Sequence, residues 1–529
     1  MSSQGKKRNK PKKGNRSLRM RSDGQISLFA DKQALKGQGR ISRSARERQV
    51  KFCSGRPEGV VIGSRTLEEF LRERGHDEVF RLRRFLEQQD WSQFTRRYRA
   101  GGRPPYDPAL MTGLIVFGIM EGKSSLRELE DLARFDVRVW WLTGGLCPDH
   151  SKIGRFINLH GETLSLEFFE SVTGRILACS GGGKGDAAVD GTVVQAAASA
   201  YRTIREEAAR QKAEQARQEA ENNPEDEKAQ QKADQAERVA AAVFERAEAR
   251  RRRRKSTAHT CVSPSEPEAA VQRQKNRSVA PCYKPTVLAD GKRIILGHAV
   301  HPTSETRLVG DLLDQAQRSG AEIGGVLGDG LFYDRQVMEV CRERDKLLLC
   351  PVRKDKKTGK FPRSMFCYHW LKDVYLCPGG HEMVPVNRTR RRKRPMVVYG
   401  KAPCAECGFR KLCTENKKGR EIIHYEGDEE KQRLRQLMGS HQGKKRYRPR
   451  AGMVEPVYSV LKDRQGLRRF RRRGLAKVCL EWALHALAYN LGRYLVLTAP
   501  GAAEANRLLS TAKEAADGFF RRLAAVFSR

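Results

Sequence analysis

Two aspartates and a glutamate stand in contexts that suit metal-assisted chemistry. Asp190 lies in Val189-Asp190-Gly191-Thr192, Asp329 in Leu327-Gly328-Asp329-Gly330, and Glu455 in Met453-Val454-Glu455-Pro456. Each aspartate follows a short apolar run and precedes a glycine, the pattern of a carboxylate at the open end of a buried strand. The glutamate is expected to open a helix that carries Lys462 two turns on, on the same face. Taken singly, an Asp-Gly pair is more often a strand-end turn. Three carboxylates from distant parts of a chain are what a pair of hard divalent cations needs. Mg²⁺ (or Mn²⁺) takes oxygen ligands, and a bound phosphate completes its shell. On a basic chain, that chemistry is the cutting and joining of phosphodiesters.

The chain is strongly basic. Its 529 residues include 103 Lys and Arg against 63 Asp and Glu, a formal charge of +40. That excess favours a polyanionic partner through phosphate neutralisation and counterion release. The length suggests about three or four domains with ample material for a buried core. No apolar run approaches the roughly 20 residues that span a bilayer, and the basic, polar N-terminus does not read as a signal peptide. Neither a membrane role nor export is expected. Thirteen cysteines, an odd number, favour a reduced cytoplasm over a disulfide scaffold.

The elements that must position the carboxylates follow from apolar spacing. Residues 1–60 read as a disordered basic arm, either solubilising or DNA-contacting. From about Leu67 to Phe156 the pattern is helical, with Leu110 to Met120 apolar nearly all round and hence a core helix. Ser124 or Ser125 can cap the next helix, with Glu128 closing a capping box. Arg81, Arg83, Arg84, Arg96 and Arg97 are expected on the surface of this helical domain. A strand at Val189 begins a second domain. From Arg205 to Glu237 no aliphatic residue exceeds alanine, so the segment has strong helix propensity and nothing to bury. Asn222-Asn223-Pro224 breaks it, with the proline at the start of a second helix. The result is a helical hairpin ending in the basic run Arg250 to Lys255: a solvated insertion, a dimer contact or a DNA-tracking arm.

Beyond the insertion, apolar runs at 285–288 and 293–300 flank Asp290-Gly291 as a hairpin. Strands at 324–327 and 347–352 alternate with helices at 308–316 and 334–344. Then come the cysteines. Cys377-Pro-Gly-Gly-His381 precedes Cys404-Ala-Glu-Cys407 and Cys413. A Cys-x-x-Cys knuckle places two thiolates on one tetrahedral ion, so Cys377, Cys404, Cys407 and Cys413 read as a structural Zn²⁺ site, with His381 a substitute for Cys377. Reduced loop cysteines or a redox dithiol are the alternatives. A basic cluster follows Glu455: Arg464, Arg468, Arg469, Arg471, Arg472 and Arg473. It suits a DNA channel, although a charge run is more often a solvated face. Val478 to Leu497 reads as a mostly buried helix, with Glu481 and His485 a packed pair one turn apart.

Read in order, these motifs resemble those of bacterial insertion-sequence DDE transposases. Gly102-Arg103-Pro104-Pro105-Tyr106-Asp107-Pro108 with Leu110-Met111 is similar to the start of that family's helical domain. Ser124-Ser125-Leu126-Arg127-Glu128-Leu129-Glu130 and Pro148-Asp149-His150-Ser151 continue it. The Asp190, Asp329 and Glu455 blocks follow, then Glu481-Trp482-Ala483-Leu484 and Ala488-Tyr489-Asn490-Leu491. The resemblance implies an α+β, mixed fold: a ribonuclease H-like sheet with flanking helices over 181–500, after a helical end-binding domain over 61–180. Within the former lie the helical-hairpin insertion (202–256) and the cysteine/zinc module (366–425), and a helix is expected over 501–529.

The resemblance further implies two Mg²⁺ ions held by Asp190, Asp329 and Glu455. They would serve strand cleavage at the terminal inverted repeats of a mobile element and transfer into target DNA. The protein would act as a homodimer or higher oligomer on DNA, in the cytoplasm and associated with the nucleoid. Many relatives place a tyrosine and an arginine before the glutamate. Tyr447 and Arg450 stand here, the arginine one residue further from Glu455 than is usual, while Lys462 keeps the family's offset. Arg450, Lys462 and the arginines at 468, 469, 471, 472 and 473 are thus the expected DNA contacts. Two other classes remain open: a non-catalytic DNA-binding descendant, and a plain metal-dependent nuclease.

Overall fold

The structure, a computed structural model, describes residues 50–98, 103–274, 277–353, 359–391 and 394–501, with two short paired strands at Arg19–Met20 and Ile26–Ser27. Most of the expected basic arm (1–60) and nearly all of the expected terminal helix (501–529) lie outside these residues. The chain is a mixed α+β protein with several sheets. It divides into two units: residues 1–172 with 460–467 and 483–529, and residues 173–459 with 468–482.

The first unit is helical. It contains α1 (Leu67–Glu73), α2 (Asp77–Glu87), α3 (Pro108–Met120), α4 (Leu126–Phe135), α5 (Val137–Thr143) and α6 (His150–Leu159). Helix α3 begins where Asp107 caps the Ala109 N–H and Pro108 occupies the first turn. From Leu110 to Met120 every residue of it is buried, so it forms the centre around which α2, α4 and α5 pack. The expected capping box is present: the Ser125 hydroxyl accepts from the Glu128 N–H, and the Glu128 carboxylate accepts from the Ser125 N–H. Two of the arginines expected on the surface are instead structural. Arg81 donates to the Leu495 carbonyl at 2.6 Å, and Arg83 to the Trp141 carbonyl at 2.8 Å.

The second unit is built on a twisted mixed sheet. Its strands are β1 (Lys184–Gly191), β2 (Val279–Ala289), β3 (Ile295–His301), β4 (Glu322–Leu327) and β5 (Leu347–Leu349), in the spatial order β3-β2-β1-β4-β5. The first three strands are antiparallel neighbours, whereas β4 runs parallel to both β1 and β5. The β2–β3 turn is the expected one at Asp290. Its buried carboxylate accepts from the N–H groups of Gly183, Lys292 and Ile294, so the turn is tied to the start of β1.

Between β1 and β2 projects a helical hairpin of α7 (Glu206–Asn222) and α8 (Glu227–Arg252). Its feet are joined by Ile204–Arg205 pairing with Cys261–Val262. The expectation that it has nothing to bury is corrected. Ala216, Ala220, Ala229 and Ala233 form a buried seam, and Ala209, Val239, Val243 and Val262 a second cluster nearer the sheet. Small side chains let the two backbones approach closely enough to exclude water. Pro224 lies in the turn rather than in the second helix, which Asp226 caps through the Lys228 N–H.

Residues 367–425 form a five-stranded antiparallel sheet that sequence reasoning did not anticipate. It comprises β6 (Cys367–His369), β7 (Val374–Leu376), β8 (Glu382–Arg391), β9 (Arg394–Gly400) and β10 (Ile422–Tyr425). Phe366, Tyr375, Met383, Tyr399 and Ile422 are its buried core. Three helices follow: α9 (Asp428–Gly439), α10 (His441–Tyr447) and α11 (Arg450–Ser459). A long helix, Leu475–Leu497, is the last among the described residues.

Candidate active site

Strand β1 carries Asp190 to its carboxyl end because Ala187, Ala188 and Val189 are fully buried and fix the register. The neighbouring parallel strand β4 ends at Leu327, opposite Ala188, and Asp329 follows two residues later. Asp329 is held in a turn, its carboxylate accepting from the Leu331 N–H at 2.8 Å. The two aspartates therefore come from the same end of adjacent strands. They are close enough for the Asp329 charge to act on Asp190. Burial pushes the Asp190 carboxyl up to about 6; the Arg450 guanidinium opposes that rise, and the charges of Asp329 and Glu305 add to it.

Helix α11 packs on β1 through its buried residues Met453, Val454 and Val457. It begins at Arg450, so Glu455 lies in its middle rather than at its start. Pro456, inside the helix, has no N–H for the Gly452 carbonyl, and the Arg293 side chain donates to that carbonyl instead, at 3.0 Å. Arg450 reaches Asp190 at 3.1 Å despite its extra residue of spacing, and the Tyr458 hydroxyl donates to the Asp190 carbonyl at 2.6 Å. Tyr447 is in the same neighbourhood. Its hydroxyl is pushed up by burial, opposed by Arg450 and reinforced by both aspartates. Glu455 itself is exposed. Among the described residues no three His, Cys, Asp or Glu side chains are set to hold a metal ion, so the third carboxylate is not closed onto the aspartate pair.

Glu305 was missed by sequence reasoning. It is 7% exposed, forms a 2.9 Å ion pair with Lys284 of β2, and packs directly on Gly191. This contact, and not a strand-end turn, accounts for the glycine after Asp190: Gly191 is still within β1 and pairs with Thr286. No local signal marks Glu305, because it meets Lys284 and Gly191 only across the sheet.

The expected helical spacing from Glu455 to Lys462 is interrupted. Helix α11 ends at Ser459, and Val460–Arg464 is a π-helical turn, whose rotation per residue differs from that of an α-helix. The following arginines are not alike. The Arg469 guanidinium donates to the carbonyls of Ala196, Ala197 and Ala198. The backbone N–H groups of Arg471 and Arg472 donate to the buried carboxylate of Glu481. Glu481 thus holds this loop, and His485 Nδ1 pairs with the Gln465 amide at 2.9 Å; the expected Glu481–His485 pair is replaced by these two. Arg468, Arg471 and Arg473 are exposed.

Cys377, Cys404, Cys407 and Cys413 line one small pocket together with His381. A Cβ added to Gly379 would lie 3.4 Å from the Cys407 sulfur and 3.7 Å from that of Cys377. Burial pushes the Cys413 thiol up, Arg420 opposes this, and the other three cysteines add to it. None of the four is in a disulfide.

The profile of a transposase DDE domain matches residues 376–495, and that of a transposase domain (DUF772) matches residues 65–159. Both profiles describe transposase domains, which supports the resemblance to insertion-sequence DDE transposases. No curated protein matches the chain. The DDE match covers Glu455, Arg450, Lys462, the arginine cluster and the four cysteines, while Asp190 and Asp329 precede it. The DUF772 match covers most of the helical elements of the first unit. No helix among the described residues is long and apolar enough to cross a membrane.

Proposed function

We propose that the chain cuts DNA at the ends of a mobile element and joins those ends to target DNA, with Asp190, Asp329 and Glu455 as its catalytic carboxylates. The observation that carries this reading is the juxtaposition of Asp190 and Asp329 at the carboxyl ends of adjacent parallel strands, in a chain matched by transposase domains. The strand order β3-β2-β1-β4-β5, antiparallel on one side of β1 and parallel on the other, supports a ribonuclease H-like core.

The aspartate pair fits hard divalent cations, Mg²⁺ or Mn²⁺: it offers only oxygen donors, and the two charges oppose each other until a cation intervenes. Asp190 and Asp329 would hold the ions, with Glu455 as the third ligand brought by α11. When bound, such ions supply an activated water or 3′-hydroxyl and stabilise the leaving oxygen. Arg450 orients the Asp190 carboxylate and offsets its charge. Tyr458 and the Glu305–Gly191 contact fix the backbone at the end of β1. Exposed Arg468, Arg471 and Arg473, together with Lys462, would bind phosphates and position the duplex without reading its sequence.

Thiol donor chemistry and a shared pocket support a structural Zn²⁺ on the four cysteines, which the ion would have to draw together into one shell. The helical unit would bind terminal inverted repeats, and the protein would work as a dimer or larger assembly on double-stranded DNA, nucleoid-associated in the cytoplasm.

The test is an assay with DNA carrying paired terminal inverted repeats and Mg²⁺, scoring nicked and joined products. Asp190→Ala, Asp329→Ala and Glu455→Ala should each fall to background while still retarding end DNA. Normal cleavage by any of the three overturns the assignment. Cutting without joining would indicate a plain nuclease, and binding without cutting a DNA-binding descendant.

A further inference from the structure

The helical hairpin between β1 and β2 is charged unevenly. Its distal half, residues 214–237, holds eight acidic residues against three basic ones. Its foot reverses that balance: Arg202, Arg205 and the whole run from Arg250 to Lys255 are exposed cations. Pairing across the hairpin gathers them in one place. Ile204–Arg205 pairs with Cys261–Val262, and Arg251 near the end of α8 meets Glu206 at the start of α7 at 2.7 Å. Glu248 also lies beside Arg251, at 3.2 Å, and 3.8 Å from Arg252. Among the described residues Arg253, Arg254 and Lys255 have no acidic partner at ion-pair distance.

Arg254 stands where a side chain is disfavoured. Helix α8 closes with the Arg254 N–H donating to the Arg251 carbonyl and the Lys255 N–H to the Arg250 carbonyl, at 2.9 and 3.0 Å. That closure turns the chain through a left-handed residue, and Arg254 adopts it with φ 52°. Glycine is the usual occupant, because a Cβ is strained there. The helix dipole accounts for cations in the last turn of α8. It does not account for an arginine at the one position where glycine would end the helix at less cost. A strained residue of this kind points to a ligand that uses its charge. The foot is also tied to the arginine loop beyond Glu455. Arg469 donates to the Ala198 carbonyl, and Arg202 follows four residues later, at most about 14 Å along the chain. A polyanion on exposed Arg468, Arg471 and Arg473 therefore lies within reach of the foot.

We propose that the foot of the hairpin binds the phosphate backbone of duplex DNA, extending the surface of the arginine loop, while the acidic distal half stays off the duplex. The cations of the foot attract the phosphates and the carboxylates of the distal half repel them, so the arm meets DNA at its base and does not lie along it. The identity of the partner rests on the reading of the chain as acting on DNA; the division of the arm into a binding foot and a repelled tip does not.

The test measures binding of the full chain to a duplex of about 30 base pairs across a salt series, without divalent metal. An Arg252→Gln/Arg253→Gln/Arg254→Gln variant should lower the slope of log affinity against log salt by about three and weaken binding at least about tenfold at low salt. Arg254→Gly should lower the slope by about one without lowering the melting temperature, since glycine suits the left-handed position. Glu221→Gln/Glu225→Gln, at the tip, should leave affinity and slope as in wild type. An unchanged slope in the triple variant overturns the proposal, and so does a tip variant that shifts binding as far as the foot variant does. Sedimentation of each protein tests the rival partner. If the triple variant loses DNA only because its assembly dissociates, the foot belongs to a second copy of the chain and the proposal falls. A wild type that binds no duplex sinks the DNA-acting reading together with the proposal, whereas an unchanged slope sinks the foot alone. Cleavage is not scored, so an inactive catalytic site leaves the result unaffected.

Discussion

Gly191 and Glu305 are packed so closely that a Cβ on the glycine would lie 2.4 Å from both Cγ and Cδ of the glutamate. No side-chain carbon fits there, and Glu305 is held from behind by Lys284. Gly191→Ala should therefore shift either the end of β1 or Glu305, and with them Asp190. The expected outcome is a stability loss of about 1–3 kcal/mol with a larger relative loss of cleavage than of DNA binding. Denaturant titration and end-cleavage rates on the same preparation check this.

The Lys284–Glu305 pair is predicted to act as a unit. Lys284→Met leaves a buried carboxylate without its cation, and Glu305→Gln leaves an ammonium without its anion. Each single change should destabilise by about 2–3 kcal/mol, somewhat below the fully buried limit because Lys284 keeps partial access to water. The double variant should lose less than the sum, with a coupling of about 1–2 kcal/mol. Additive losses in a double-mutant cycle would show that the pair is not coupled.

Zinc analysis of the native protein should give about one ion per chain, since four thiolates complete one tetrahedral shell. Cys404→Ser or Cys407→Ser should lose the ion and expose the five-stranded sheet to limited proteolysis. Metal-free native protein with intact proteolytic resistance would exclude a structural zinc.

His160 links the helical unit to pH. Its side chain is buried, Nε2 meets the Tyr98 hydroxyl at 3.0 Å, and burial, with Arg97 adding to it, pushes the imidazole down to about 4. A base whose folded value is depressed favours folding in its neutral form. The stabilisation is thus complete above the ordinary imidazole value and is lost progressively as pH falls from about 6.5 to about 4. Melting of wild type should fall across that window, and His160→Gln should flatten the fall. Parallel profiles for the two proteins would exclude His160 as the source.

The arginines after Glu455 should separate by role. Arg469 is committed to three carbonyls, so Arg469→Ala should lower stability by about 1–2 kcal/mol through unsatisfied acceptors. Exposed Arg473→Ala should leave melting unchanged and reduce the salt dependence of DNA binding by about one unit, the loss of one phosphate contact. The opposite pattern would reverse these assignments.

What the sequence made legible was local. The apolar run 110–120, the Ser125–Glu128 box and the Asp290 turn each encode their structure within a few residues, and all three are found where expected. The alternation of apolar runs with helical patterns likewise exposed β1 and β4 and the aspartates they carry. Hidden features depend on distant partners. Glu305 matters only because β2 and β3 bring it against Gly191. The alanines of 209–233 looked unable to build a core until the second helix was laid on them. Glu455 was expected to open a helix, yet the helix runs through Pro456, and Arg293, far away in sequence, donates to the Gly452 carbonyl that the proline leaves without its helical donor. In 367–425, β6, β7 and β10 have only three or four residues each, too few to show alternation, and the arginines where β8 meets β9 mask it there.

The hairpin between β1 and β2 has a consequence for how the sheet assembles. Gly191 and Val279 are separated by about ninety residues, and pairing β1 with β2 must bring the ends of that span together. Because α7 and α8 zip along neighbouring residues and the strands at their feet join Ile204 to Val262, a formed hairpin leaves only about thirty residues of free chain to close. By the logarithmic loop law the shortening lowers the entropic barrier to pairing by about 1 kcal/mol. An insertion that looks like an obstacle to the central strand pair thereby acts as a clasp, holding the two halves of the sheet within reach before their side chains meet.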